Sequence, residues 1–143
     1  MIPYLIGATI TYLFIEILSE ITDKSISEFD KDNIVTDYAK LFKPSQETIA
    51  KIHITKTINK LTKRKVKFKI GKTGMPDNRK KQHKEFSKMY IIAESKNDIF
   101  INKLEAIYNE KFIDNKKNVN YKIGSAGKMT DKTGRYFLYL IIK

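Results

Sequence analysis

The most constrained stretch of this 143-residue chain is Gly71 and Gly74 followed, after Met75, by Pro76-Asp77. Before it, Val66, Phe68 and Ile70 alternate with lysines, which is the period-two pattern of a strand with one face buried. The glycines end that strand. Proline is tolerated in the first turn of a helix and aspartate favours its positive end, so a helix begins near Asp77 and runs to about Phe86. A strand, a tight turn and a short helix are therefore fixed in order, and the rest of the fold must be built around them.

Downstream, Met89 to Ala93 is apolar and reads as a strand. Asn97 or Asp98 caps a longer helix to about Phe112, with Ile101, Leu104, Tyr108 and Phe112 on one stripe. A polar loop through Asn115, Asn118 and Asn120 leads to a last strand, Tyr136 to Ile142, apolar enough to be central. Upstream, Ile52, Ile54 and Ile58 alternate with His53, Thr55 and Thr57, which predicts another strand. That strand is expected to pair antiparallel with the one ending at Gly71, through a basic loop from Asn59 to Lys65.

Ser25 to Leu41 has apolar residues at helical spacing, and Met1 to Ile15 is almost wholly apolar. The latter is short of the roughly 20 residues of a membrane span, and it lacks the basic start of a secretory signal. It reads as a buried helix, with no stable membrane insertion expected. The expected fold class is thus α+β: a small antiparallel or mixed sheet flanked by helices, with an N-terminal helical segment over residues 1–44 and the main domain over 45–143.

Charge divides the chain at nearly the same place. Up to Phe42 there are seven acids against three lysines, a balance of −4 that leaves +16 for the remainder of a chain whose net charge is +12. A surplus of that size on one domain suits a polyanion, because lysine and arginine bound to phosphates release counterions. It is densest from Lys60 to Lys84, where eleven basic residues face one acid, Asp77. Lys65, Lys67, Lys72, Lys80 and Lys84 are the candidate nucleic-acid contacts. With no cysteine in the sequence, disulfides, thiolate metal sites and cysteine nucleophiles are excluded.

Within this basic stretch Arg79 and His83 are four residues apart on a predicted helix, so they project from one face. A guanidinium there can fork onto a phosphate. Glu105 falls on the apolar stripe of its helix, where a carboxylate is costly unless paired or bound to a metal. One carboxylate suffices for Mg²⁺, which keeps several waters and borrows substrate phosphate oxygens.

The string Phe68-Lys69-Ile70-Gly71-Lys72-Thr73-Gly74, with Arg79 and His83 beyond it, resembles the second half of the GIY-YIG nuclease signature. Leu104-Glu105-Ala106 is similar to the family's helix with its metal-binding glutamate, and Asn120, fifteen positions on, to its asparagine. The resemblance covers Lys51 to about Ile142. Two positions depart from it: Lys69 stands where the second tyrosine belongs, and the first tyrosine is missing. Lys51-Ile52-His53-Ile54 is the nearest match to the first half, which makes His53 the expected base, with Thr55 as the fallback.

The resemblance implies metal-dependent phosphodiester hydrolysis in nucleic acid, DNA ahead of RNA. His53 and Lys69 would activate or position water, Arg79 would hold the scissile phosphate, and Glu105 would bind one Mg²⁺ or Mn²⁺. His83 and Asn120 would support the phosphate and orient their neighbours. The alternative is a basic nucleic-acid-binding module that keeps the fold without the chemistry. A nuclease behind an apolar, acidic leader also resembles bacterial toxin domains delivered as secreted effectors to act in a target cytoplasm, which implies an acidic immunity protein as partner.

Overall fold

The computed structural model describes residues 33–63, 66–119 and 134–143. The expected helix at Met1 to Ile15, the first part of the Ser25 to Leu41 helix, Lys65 and Asn120 lie outside the described residues.

Among the described residues β1 (Ile34–Val35), a 3-10 turn (Pro44–Gln46), α1 (Glu47–Leu61), β2 (Phe68–Thr73), α2 (Pro76–Gln82), β3 (Lys88–Ser95), α3 (Asp98–Lys111) and β4 (Tyr136–Ile142) follow one another. The strands make one mixed sheet in the order β1-β3-β4-β2. β1 runs parallel to β3, whereas β4 is antiparallel to both neighbours, with Gly71 opposite Tyr139 and Tyr139 opposite Ile91. The architecture is α+β, as the order of patterns predicts. β4 is central as its apolar run requires, since a strand with neighbours on both sides and layers on both faces leaves no position for water-facing side chains.

Two expectations fail, each for a physical reason. Ile52 to Ile58 belongs to helix α1, not to a strand. Its buried residues Ala50, Ile54, Thr57 and Ile58 recur at helical spacing, while Ile52 is 52% exposed. Isoleucines two and four apart satisfy both periods over a short run, and the four-residue step decided the outcome. β2 therefore pairs with β4. The second correction concerns Ser25 to Leu41: from Asn33 on the chain is extended, not helical. Asn33 takes a positive φ of 66°, a conformation asparagine tolerates better than most residues. Beyond β1 the extended run keeps to β3, with Phe42 N–H donating to Glu94 O and Glu94 N–H to Lys40 O. Ile34, Ala39 and Phe42 are all buried, so the folded unit reaches upstream of the boundary expected at residue 45.

The sheet separates two apolar layers. On one face Phe68, Ile70, Ile92, Ala93, Leu138 and Leu140 pack against α1 and α3 through Ile54, Ile58, Ile101, Leu104 and Tyr108. On the other, Met89, Ile91, Phe137, Tyr139 and Ile141 meet Ile34, Ala39 and Phe86. α3 begins as expected: Asn97 Oδ1 accepts from Phe100 N–H at 2.9 Å, satisfying one of the orphan donors of the first turn. α2 begins at Pro76 and is shorter than expected, ending at Gln82.

The register of β3 against β4 slips between Ile91 and Ala93, leaving Ile92 as the extra residue of a bulge. Its carbonyl is within 2.9 Å of His53 Nε2, which lies equally close to Tyr38 O. A side chain on α1 thus closes the hydrogen bonding that the bulge interrupts.

Candidate functional site

Position 71 organises the polar cluster. Gly71 and Tyr139 are directly opposed on neighbouring strands, and the Tyr139 ring lies across the glycine so closely that any Cβ there would overlap its ring and hydroxyl. The glycine of the turn motif is thereby explained by close approach. Its missing side chain lets a phenol from the central strand reach over β2, an edge strand.

One side chain reaches that phenol directly. From α2 and the turn after it, His83 Nε2 stands 3.3 Å from Tyr139 Oη, and the His83 ring meets the edge of Phe86. Burial raises the affinity of Tyr139 for its proton, the Arg79 guanidinium opposes that, and the Glu105 carboxylate adds to it. The Arg79 and Glu105 charges are both felt at that hydroxyl, Arg79 from α2 and Glu105 from α3, while His83 is the side chain within reach of it. Burial also pushes the His83 imidazole below its ordinary value. Lys69 and Arg79, then Lys80, push the same way, and Glu85 opposes them. His83 is accordingly neutral near pH 7, with one ring nitrogen free to accept.

Glu105 is 3% exposed, and its Oε1 lies 3.7 Å from Lys72 Nζ, which also donates to Asn102 Oδ1. Lys72, 8% exposed, is thus buried beneath the surface where the sequence placed it as a nucleic-acid contact. Its position follows from strand alternation. Lys69 and Gly71 share one face of β2, while Ile70 and Lys72 turn to the other, where α3 packs.

The remaining site candidates divide clearly. Lys69 lies on β2 near His83, Lys80 donates to Phe86 O at 3.0 Å, and Lys67 and Lys84 are exposed. His53 is elsewhere. It sits in the helical layer on the opposite side of the sheet from His83 and Tyr139, its Nε2 between the Tyr38 and Ile92 carbonyls. Its role as base is withdrawn, because that nitrogen is occupied by the backbone of the fold. Thr55, the fallback, lies on the same helix as His53 and pairs its hydroxyl with Tyr108 Oη of α3 at 2.8 Å.

Tyr139 was not among the sequence candidates. The available signal was a hydroxyl inside an otherwise aliphatic central strand, since a buried tyrosine needs a partner for its polar end. Two buried acid-base pairs were likewise missed: Lys72 with Glu105, and Arg135 with Glu94, the latter 3.7 Å apart with Glu94 1% exposed.

Among the described residues no group of three or more histidine, cysteine or acidic side chains forms a ready-made metal cage. The donor set at Glu105, a single buried carboxylate, fits a Mg²⁺ or Mn²⁺ that keeps most of its water and takes other oxygens from a phosphate. No family model matches the chain, and no curated protein or solved structure matches it.

Proposed function

We propose that the protein is a metal-dependent endonuclease that hydrolyses phosphodiester bonds, with DNA as the first substrate to test. The observation that supports this reading is His83 Nε2 standing 3.3 Å from Tyr139 Oη beside Gly71, at the end of the short helix that carries Arg79.

In this mechanism Arg79 forks onto the scissile phosphate and stabilises the charge that develops there. His83 is the base. When its Nε2–H donates to Tyr139 Oη, the Nδ1 lone pair is left to take the proton of the attacking water. Tyr139, 3% exposed, is a positioning residue behind the imidazole that holds its ring and tautomer. An anionic phosphate offsets Lys69 and Arg79, so substrate itself restores basicity to His83. Glu105 would hold the divalent cation, which when bound would supply Lewis-acid stabilisation of the leaving oxygen. Lys72 pairs with that buried carboxylate and helps hold it in place.

One observation favours the second reading, a nucleic-acid-binding module without chemistry. The Lys72 ammonium already neutralises Glu105, which weakens the case for a metal there.

The test is a cleavage assay on plasmid, linear DNA and total RNA with and without Mg²⁺, comparing the wild type with Arg79→Ala and Glu105→Gln. Metal-dependent cutting that both substitutions suppress supports the enzyme. Binding without cutting selects the module, and cutting that survives Glu105→Gln removes the metal role of Glu105. Should it be an effector, expression should arrest growth and an acidic immunity protein should cover the basic face.

A further inference from the structure

The cations near His83 do not end at the reacting centre. Lys80 Nζ reaches Phe86 O at 3.0 Å, and the Phe86 ring, edge-on to His83, carries Lys143 Nζ 5.7 Å from its centroid. Lys143 N–H donates to Lys67 O at 3.0 Å, which continues the β2–β4 ladder by one more pair. By strand alternation Lys67, Lys69 and Gly71 share a face with Tyr139, Ile141 and Lys143. Alternate residues of a strand recur about every 6.7 Å, the scale on which phosphates follow one another along a nucleic-acid backbone. Lys67 and Lys143 are both exposed.

We propose that Lys67 and Lys143, with Lys69 and Lys80 behind them, form a phosphate ramp leading away from Tyr139 along β2 and β4, which holds the backbone on one side of the scissile bond. The proposal rests on the nuclease reading for its choice of nucleic acid as occupant, and it adds a direction: substrate runs along the strands and past Phe86. A phosphodiester backbone suits it better than an acidic peptide, because Lys67 and Lys69 stand one strand repeat apart with Lys143 across from Lys67, and each is a point charge without a directional fork. Lysines of this kind position a backbone without reading its sequence.

The test measures binding by fluorescence anisotropy in EDTA, using labelled DNA as single strand and as duplex, and the corresponding RNA. The full chain is compared with Lys67→Ala/Lys143→Ala and, as a control of equal charge change, with Lys56→Ala/Lys111→Ala, two exposed lysines on the α1 and α3 layer. The salt dependence is followed from about 50 to 200 mM. The ramp predicts that its double variant binds more weakly and that the slope of log K against log salt falls by about 2, one for each lysine, with the control unchanged. Whichever nucleic acid shows this difference is the occupant. Equal losses in both double variants would mean attraction by net charge alone and would overturn the ramp, as would no loss in either. The outcome is separable from catalysis. A ramp mapped on a protein that cuts nothing leaves the ramp standing without the enzyme, and cutting with indifferent binding does the reverse.

Discussion

The two faces of the sheet treat their polar side chains in opposite ways. In the helical layer the polar groups face the backbone or close small structural pairs: His53 meets two carbonyls, Thr57 donates to His53 O, and Tyr108 bridges the Thr55 hydroxyl and Lys51 O. On the other face Tyr139 meets His83, and the Lys69 and Arg79 charges bear on that pair. A polar group tied to backbone is spent on holding the fold, whereas groups that meet one another keep capacity for something that arrives. The comparison explains why one histidine of this chain is a fastener and the other a candidate base, although a sequence presents them alike.

The largest effect should come in the helical layer, at the buried pair Lys72 and Glu105. Lys72→Met takes the ammonium away from a buried carboxylate and should cost about 3–5 kcal/mol in urea unfolding. Lys72→Met/Glu105→Leu should recover most of it; no recovery would mean that the pair does not act as a unit. Next, Arg79→Ala should reduce cleavage about 100- to 1,000-fold while the melting temperature stays within a degree or two. A comparable loss of stability would move Arg79 from the chemical face to the structural one.

Gly71→Ala pushes a methyl into the Tyr139 ring. It should destabilise by about 1–3 kcal/mol and lower kcat beyond what the unfolded fraction explains, which is checked by kinetics at a temperature where both proteins are folded. His53→Ala should cost about 1–3 kcal/mol, through the carbonyls it leaves, with kcat unchanged. Any specific loss of kcat would restore His53 to the site.

The smallest effect concerns pH. Burial holds His53 below its ordinary value of 6.5, against the pull of its two carbonyl partners. The unfolded chain then binds more protons than the folded one, so stability is lost as pH falls below 6.5 toward the folded value. His83 shifts in the same direction. His53→Ala should remove only part of this acid sensitivity in unfolding curves at pH 5 and 7. The pH dependence of cleavage should persist, with activity rising as His83 deprotonates and levelling off near neutrality.

What the sequence disclosed follows from the range of the interactions that decide each feature. The Asn97 cap, the Pro76 start of α2 and the central position of β4 depend on neighbours or on one unbroken apolar run, and all three were legible. α1 was misread because isoleucines two and four apart serve a strand and a helix alike. β1 has only two residues, fewer than any periodicity can show. The motif around Gly71, Arg79 and His83 identified half of the polar cluster. The other half, Tyr139, belongs to a strand far along the chain, and only the β2–β4 pairing brings it to Gly71.

β4 is the last of the four strands to be synthesised, yet it is the one that joins β2 to β3. Until it arrives, a nascent chain has two edges with no common partner, and neither the glycine nor the imidazole has a phenol to meet. Completion of the sheet and assembly of the polar cluster thus depend on the same strand. Newly made chains should remain inert, and exposed to self-association, until that strand clears the ribosome.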